Sequence, residues 1–244
     1  MIVLAKLHLS YLLHRKTQLF LSFFVGFNML MMIALSRFYD SLFDRIVEKE
    51  MYRFDYFMES FSLMKLSVLI VLIYVAIQIC LLSPSDIVLR QRVKGWYLLI
   101  SKLFVIVFVG LIFTLLLLLY QAVFGFLFHG GLSVLYQGEL FIYMAVFVVF
   151  YSVLLMLLAI SFDHIFPLFA VLIGYFSTEI LIDFGVAIEQ ISYFGYLINI
   201  FFMNLHILGE EQLVLLVPLR IMVYVIVLYV SMTFARHQKL HLNN

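Results

Sequence analysis

"LFVIVFVGLIFTLLLLLYQAVFGF", residues 103–126, runs for 24 residues without an Asp, Glu, Lys or Arg. At 1.5 Å per residue a helix of that length covers ~36 Å, more than the ~30 Å of hydrocarbon in a bilayer. Further apolar runs flank it at 18–36, 63–82, 140–162, 167–183 and 212–234. The 244-residue chain is 66% hydrophobic and 12% charged, with 27 Phe, 15 Tyr and 3 Pro. A soluble domain of this size cannot hide so much apolar surface, whereas bundled helices in lipid satisfy their own backbone. A transmembrane β-barrel has short alternating segments, not long unbroken runs. The expected fold class is an all-α integral membrane protein. It forms a single transmembrane domain, 1–244, of six transmembrane helices.

Charge sets the expected orientation. Segment 1–17, loop 83–102, loop 163–166 and the tail after 234 together hold nine basic groups and two acids. The opposite side holds Arg37, Arg45, Lys49 and Arg53 against eleven acids. Lysine and arginine collect on the cytoplasmic side, so both termini are expected there. One stretch competes with this count. "VAIEQISYFGYLINIFFMNLHIL" (186–208) is nearly long enough to cross, but it holds Glu189, Gln190, Asn199 and Asn204. The expectation is an outer-leaflet re-entrant or interfacial helical segment over 184–211, before the last span.

The start of the chain does not read as a signal peptide. "MIVLAKLHLSYLLHRKTQ" puts Lys6, Ser10, His14 and Thr17 on one stripe. Ile2, Ala5, Leu9, Leu12 and Leu13 lie toward another face, and no small-residue cleavage site follows. This suits an interfacial helix over 1–17 on the cytoplasmic side. The plainer alternative is an extension of the first span. In the first outer loop, Tyr39, Phe43, Val47, Met51, Phe54 and Met58 recur at helical spacing. The simplest reading is a helical hairpin that lengthens the first two spans; a rim that contacts substrate is the other.

The most polar link between spans is "SPSDIVLRQRVKG", 83–95. Ser83 suits an N-cap, and Pro84 the first helical position, where its missing N–H costs nothing. Asp86 falls three residues after the cap and complements the helix dipole. Arg90, Arg92 and Lys94 follow, and Gly95 suits a C-terminal stop. A short separate helix is expected, with Trp96 and Tyr97 as interfacial aromatics and the next span opening after Lys102. Anchoring to lipid phosphates explains the basic residues but not the caps.

These features resemble the permease subunits of bacterial type-two ABC exporters: an interfacial helix, six spans, and a short basic helix ending in Lys-Gly between spans two and three. Members commonly read Arg-Glu-x-Gly at this place; the chain reads Arg92-Val93-Lys94-Gly95, with Lys102 beyond. The resemblance implies that 83–95 is a coupling helix which docks on an ATPase through Ser83, Pro84, Asp86, Arg90, Arg92, Lys94 and Gly95. It also implies two ATPase copies and a second permease copy or a sister permease. ATP and magnesium would sit on the partner chain, with no cofactor here. The implied location is the bacterial plasma membrane. The bilayer is a partner, and no nucleic acid is expected.

No catalytic pattern competes strongly. GxxxxGK[ST] and HExxH are absent, and "GYFSTE" (174–179) lacks the nucleophile elbow. The lone Cys80 makes no internal disulfide and belongs to no zinc spacing, so no metal is expected. His8, His14, His129, His164, His206, His237 and His241 lie at or beyond the ends of spans and read as interfacial.

Lys65, Glu179, Asp183 and Arg220 lie in or beside the outer halves of spans. Such charges cost ~2.5–3.5 kcal/mol each on insertion scales, so partners are expected. Glu179 and Arg220 fall within ~6 Å in depth, close enough to form an intramembrane charge pair. Lys65 and Asp183 are near enough to the interface to snorkel. The expected function is ATP-driven export, with Phe108, Phe113, Phe124, Phe147 and Phe150 pointing to an amphipathic peptide, lipid or drug-like cargo. One rival is a membrane-embedded enzyme using His206, Glu210, Glu211 and Arg220. Another is a non-transporting immunity or sensor protein.

Overall fold

The computed structural model describes residues 2–43, 49–81, 95–129, 134–162 and 164–185. Within them the fold is all-helical: α1 (Ile2–Leu12), α2 (Arg15–Phe43), α3 (Lys49–Ala76) closed by a π turn (Ile77–Leu81), α4 (Gly95–His129), α5 (Val134–Phe162) and α6 (Phe166–Gly185). Among the described residues, four stretches are long and apolar enough to cross a membrane: Arg15–Phe38, Glu59–Leu81, Tyr97–Leu127 and Leu140–Ile160. They match the first four expected spans. The fifth, 167–183, falls within α6, whose stretch Phe166–Phe176 is also apolar. The sixth, and the 184–211 segment from 186 onward, lie outside the described residues; 184 and 185 end α6. The chain divides into two compact units, Met1–Ser152 and Val153–Asn244.

In the first unit α3 is the enclosed helix. Of its span-length window 61% is buried, against 17% for α2, so α3 supplies the core and α2 the rim. Met64, Val68, Leu69, Val71, Leu72, Val75 and Ala76 line that core without exposure. α4 packs antiparallel on α3. Phe57 meets Gly125, Gln121 meets Ser60, and Leu72 meets Gly110, so the number falls on α4 as it rises on α3. The two glycines permit this approach. A Cβ at Gly110 would stand 2.7 Å from Leu72 Cδ2 and 2.8 Å from Val148 Cγ1. At Gly125 it would run into the Phe57 ring. Lipid offers helices no hydrophobic drive to associate, so close packing at small residues takes its place.

α2 is joined to α3 by polar side chains. Ser67 Oγ donates to Asn28 Oδ1 at 2.7 Å, and Thr17 Oγ1 and Tyr74 OH share a hydrogen bond at 3.3 Å. The Phe20 and Tyr74 rings stack at 3.9 Å. α2 and α3 both run past their apolar spans, to Phe43 and from Lys49, as a helical extension of the first two spans requires; 44–48 lie outside the described residues.

The N-terminal helix is separate from α2 but shorter than the expected 1–17. It ends at Leu12, and the chain turns at Leu13 and His14 before α2 starts. The His14 carbonyl accepts from the Thr17 and Gln18 amides at 2.9 and 3.1 Å, which opens the new helix. The buried face also differs. His8 and Leu12 turn inward, while Ile2 is 72% exposed and Leu13 is exposed with it. α1 packs on α4 and on the π turn, so its apolar outer residues are left to the surroundings. Thr17, expected on the polar stripe, is buried on α2 beyond the break.

In the second unit α6 starts at a well-made N-terminus. His164 Nδ1 accepts the Phe166 amide at 3.1 Å, and Pro167 follows in the first turn, where no donor is lost. The Leu168 and Phe169 amides reach the Ile165 carbonyl at 3.1 and 3.4 Å.

Candidate functional site

Two sets of residues carry the chemistry expected of this chain, and the structure treats them differently. Residues 82–94, with Ser83, Pro84, Asp86, Arg90, Arg92 and Lys94, lie outside the described residues. Gly95 is described and opens α4. The span does not wait until after Lys102. That residue lies inside α4 and is only 4% exposed, where a loop position was expected. A helix entering lipid keeps its backbone bonded out to the interface, so the spanning helix starts before the apolar run does.

The ends meeting at this place are defined. Leu81 closes the π turn and Gly95 opens α4, so the basic connection joins these two ends. α1 packs on both elements. The register of α3 against α4 places Lys102 about level with the π turn. His8, read from sequence as interfacial, is 1% exposed. The N-terminal helix, the end of α3 and the start of α4 therefore share one end of the first unit.

Of the expected charge pair, Glu179 falls in α6 and Arg220 lies outside the described residues. Asp183 also falls in α6.

Sequence reading missed a polar layer at the other end of α3. Gln121 Nε2 donates to the Phe57 carbonyl at 3.1 Å and to Ser60 Oγ at 2.7 Å. Ser60 Oγ donates to the same carbonyl at 3.0 Å. Lys65 lies a turn further along α3 and does not snorkel to the lipid surface: it is 1% exposed. Helical side chains lean toward the N-terminus, and here that direction stays inside the bundle. Its Nζ stands 5.9 Å from the centroid of the Phe61 ring, within cation–π range, and the Phe61 ring is 5.8 Å from that of Tyr143. The available signal was spacing. Thr114 and Gln121 are seven residues apart in an otherwise apolar run, and so share a face.

Phe113, Phe147 and Phe150 are buried as expected, but Phe108 is 41% exposed and does not line the interior. Among the described residues no three of His, Cys, Asp and Glu gather as metal ligands. No protein-family model, curated protein or solved structure matches the chain.

Proposed function

We propose that the chain is the membrane subunit of an ATP-driven exporter of the bacterial type-two ABC kind. In this reading it has six spans, both termini in the cytoplasm, and an amphipathic cargo. The observation that carries the reading is the convergence of α1, the π turn and the start of α4 at the end where the basic run 82–94 connects. An ATPase that gripped a helix there would push directly on α3 and α4, whose glycine-mediated packing transmits displacement along the span. The capping pattern around Ser83, Pro84, Asp86 and Gly95 supports a helix at the grip, and Arg90, Arg92 and Lys94 give it charge for an acidic cleft. Hydrolysis and its ATP and magnesium belong to the partner. Six spans make half of the transporter, so two permeases and two ATPase copies complete it.

The test is isolation of the chain from its native membrane. An ATPase should accompany it, and Arg90→Glu with Arg92→Glu should release that ATPase while the chain stays in the membrane. An ATPase that remains bound with unchanged turnover overturns the docking role, and the absence of any ATPase from the wild-type preparation overturns the exporter reading. The topology has its own check in a Cys80→Ser background. Ile188→Cys and Gly209→Cys should both react with an impermeant thiol reagent from outside. Reaction of Gly209→Cys from the cytoplasm alone would make 186–208 a span.

A further inference from the structure

Residues four apart in a helix line up in rows along its surface. α1 packs on α4 and on the π turn, and its row of His8 and Leu12 is buried. The row beside it, Ala5 and Leu9, is half-buried. The other two rows are exposed: Val3, Leu7 and Tyr11 in one, Ile2, Lys6 and Ser10 in the next. The apolar face expected to meet lipid, Ala5 and Leu9 with Leu12, is therefore turned largely into the protein. A different apolar row, Val3, Leu7 and Tyr11, is left outside, with Lys6 and Ser10 alongside.

The depth of this surface is set by its neighbours. The π turn Ile77–Leu81 closes the second span-length stretch, so α1, which packs on it, lies where a span ends. Past the break at Leu13 and His14, the exposed Arg15 and Lys16 open the first such stretch. No Asp or Glu precedes Asp40, so no acid nearby along the chain offsets Lys6, Arg15 and Lys16. An apolar row beside basic groups, at the depth where hydrocarbon gives way to headgroups, binds by buried apolar area and by attraction to anionic lipid.

We propose that this edge of the chain holds anionic phospholipid. Acyl chains lie against Val3 and Leu7, Tyr11 sits at headgroup level, and phosphate oxygens meet Lys6, Arg15 and Lys16. A zwitterionic lipid covers the apolar row but brings the three charges no net counter-charge. An acidic protein surface brings the counter-charge but must displace lipid from the Val3–Leu7 row.

The test places a reporter on that row. The full chain with Trp96→Phe and Leu7→Trp is reconstituted in an equimolar mixture of phosphatidylcholine and phosphatidylglycerol, with brominated acyl chains on one lipid or the other. Bromine quenches a tryptophan that it touches, so the ratio of the two quenching strengths gives the lipid preference at α1. Phosphatidylglycerol should be preferred about fivefold, the weight of one basic residue at an anionic surface. The preference should shrink as salt is raised. It should approach parity in Lys6→Gln with Arg15→Gln and Lys16→Gln, while quenching itself persists. Ser10→Trp, in the polar row, should be quenched less than Leu7→Trp. Equal quenching of the unaltered charges by both lipids overturns the anionic choice, and an unchanged preference in the triple variant overturns the role of the three residues. Equal quenching at Ser10→Trp and Leu7→Trp overturns the assignment of the rows. No quenching by either lipid overturns lipid contact and leaves the surface to a protein. If the triple variant fails to insert, Lys6→Gln alone decides: an unchanged preference there counts against the proposal. The vesicles hold no ATPase, so the outcome is independent of the exporter reading.

Discussion

Ser67 on α3 donates its hydroxyl to Asn28 Oδ1 on α2 at 2.7 Å, while Asn28 Nδ2 donates to the Phe24 carbonyl of its own helix at 2.8 Å. Asn28 is thus held by both helices and is fully buried. Apolar helices slide past one another in lipid with little preference, and one buried amide fixes their register.

Removing either side of this contact should loosen α2. Ser67→Ala leaves Asn28 Oδ1 without its donor. Hydrogen bonds between membrane helices average ~0.6 kcal/mol and reach ~1.7 kcal/mol, so the loss should fall near the upper end. Asn28→Leu together with Ser67→Ala should cost less than the two single changes combined, because no polar atom is stranded. Unfolding in sodium dodecyl sulphate measures this; strict additivity would mean that the two residues are not coupled.

Glycine substitutions should have opposite signs at two positions. Gly125→Ala drives a Cβ into the Phe57 ring, and overpacking of this kind costs ~1–3 kcal/mol. Gly26→Ala meets nothing within 4 Å, so only the helix-propensity gain of ~0.5–1 kcal/mol remains. Gly26→Ala should therefore raise the unfolding midpoint, and Gly125→Ala should lower it. Adding Phe57→Leu to Gly125→Ala should recover part of the loss. A neutral Gly125→Ala would show that the α3–α4 contact is looser than described.

What could be read from sequence follows from what lipid removes. The runs behind α2 to α5 were plain, because an apolar stretch of span length with at most one charge has few other uses. Their inward faces were not. Phe108 and Phe113 look alike in sequence, yet one is exposed and the other buried. Against lipid, apolarity no longer separates inside from outside. Polar residues still do: Asn28, Ser60, Lys65, Ser67, Thr114 and Gln121 are all buried, and their spacing traces the interior. Helix ends misled for a related reason. Gly95 looked like a stop, but it opens α4. The π turn left no trace, since it changes the bonding pattern without calling for special residues. The caps expected over 83–94 lie outside the described residues, whereas the buried Ser60, Lys65 and Gln121 needed the packing of α3 on α4 to emerge.

The last prediction concerns Glu179, in α6, and Arg220, which lies outside the described residues; the six-span order expected from sequence puts the two at similar depth on consecutive spans. If they pair within the membrane, removing one partner strands a charge in a medium of low dielectric, at a cost of ~3–5 kcal/mol. Glu179→Gln or Arg220→Met alone should lower the melting temperature of the detergent-solubilised protein, and the double change should regain part of it. Simple addition of the two losses would show that they do not interact. In the proposed exporter reading, recovery of stability without recovery of export would assign the pair to the transport cycle. A scaffold contact is indifferent to what replaces it once no charge is stranded, whereas a gate must break and re-form its own charges in every cycle.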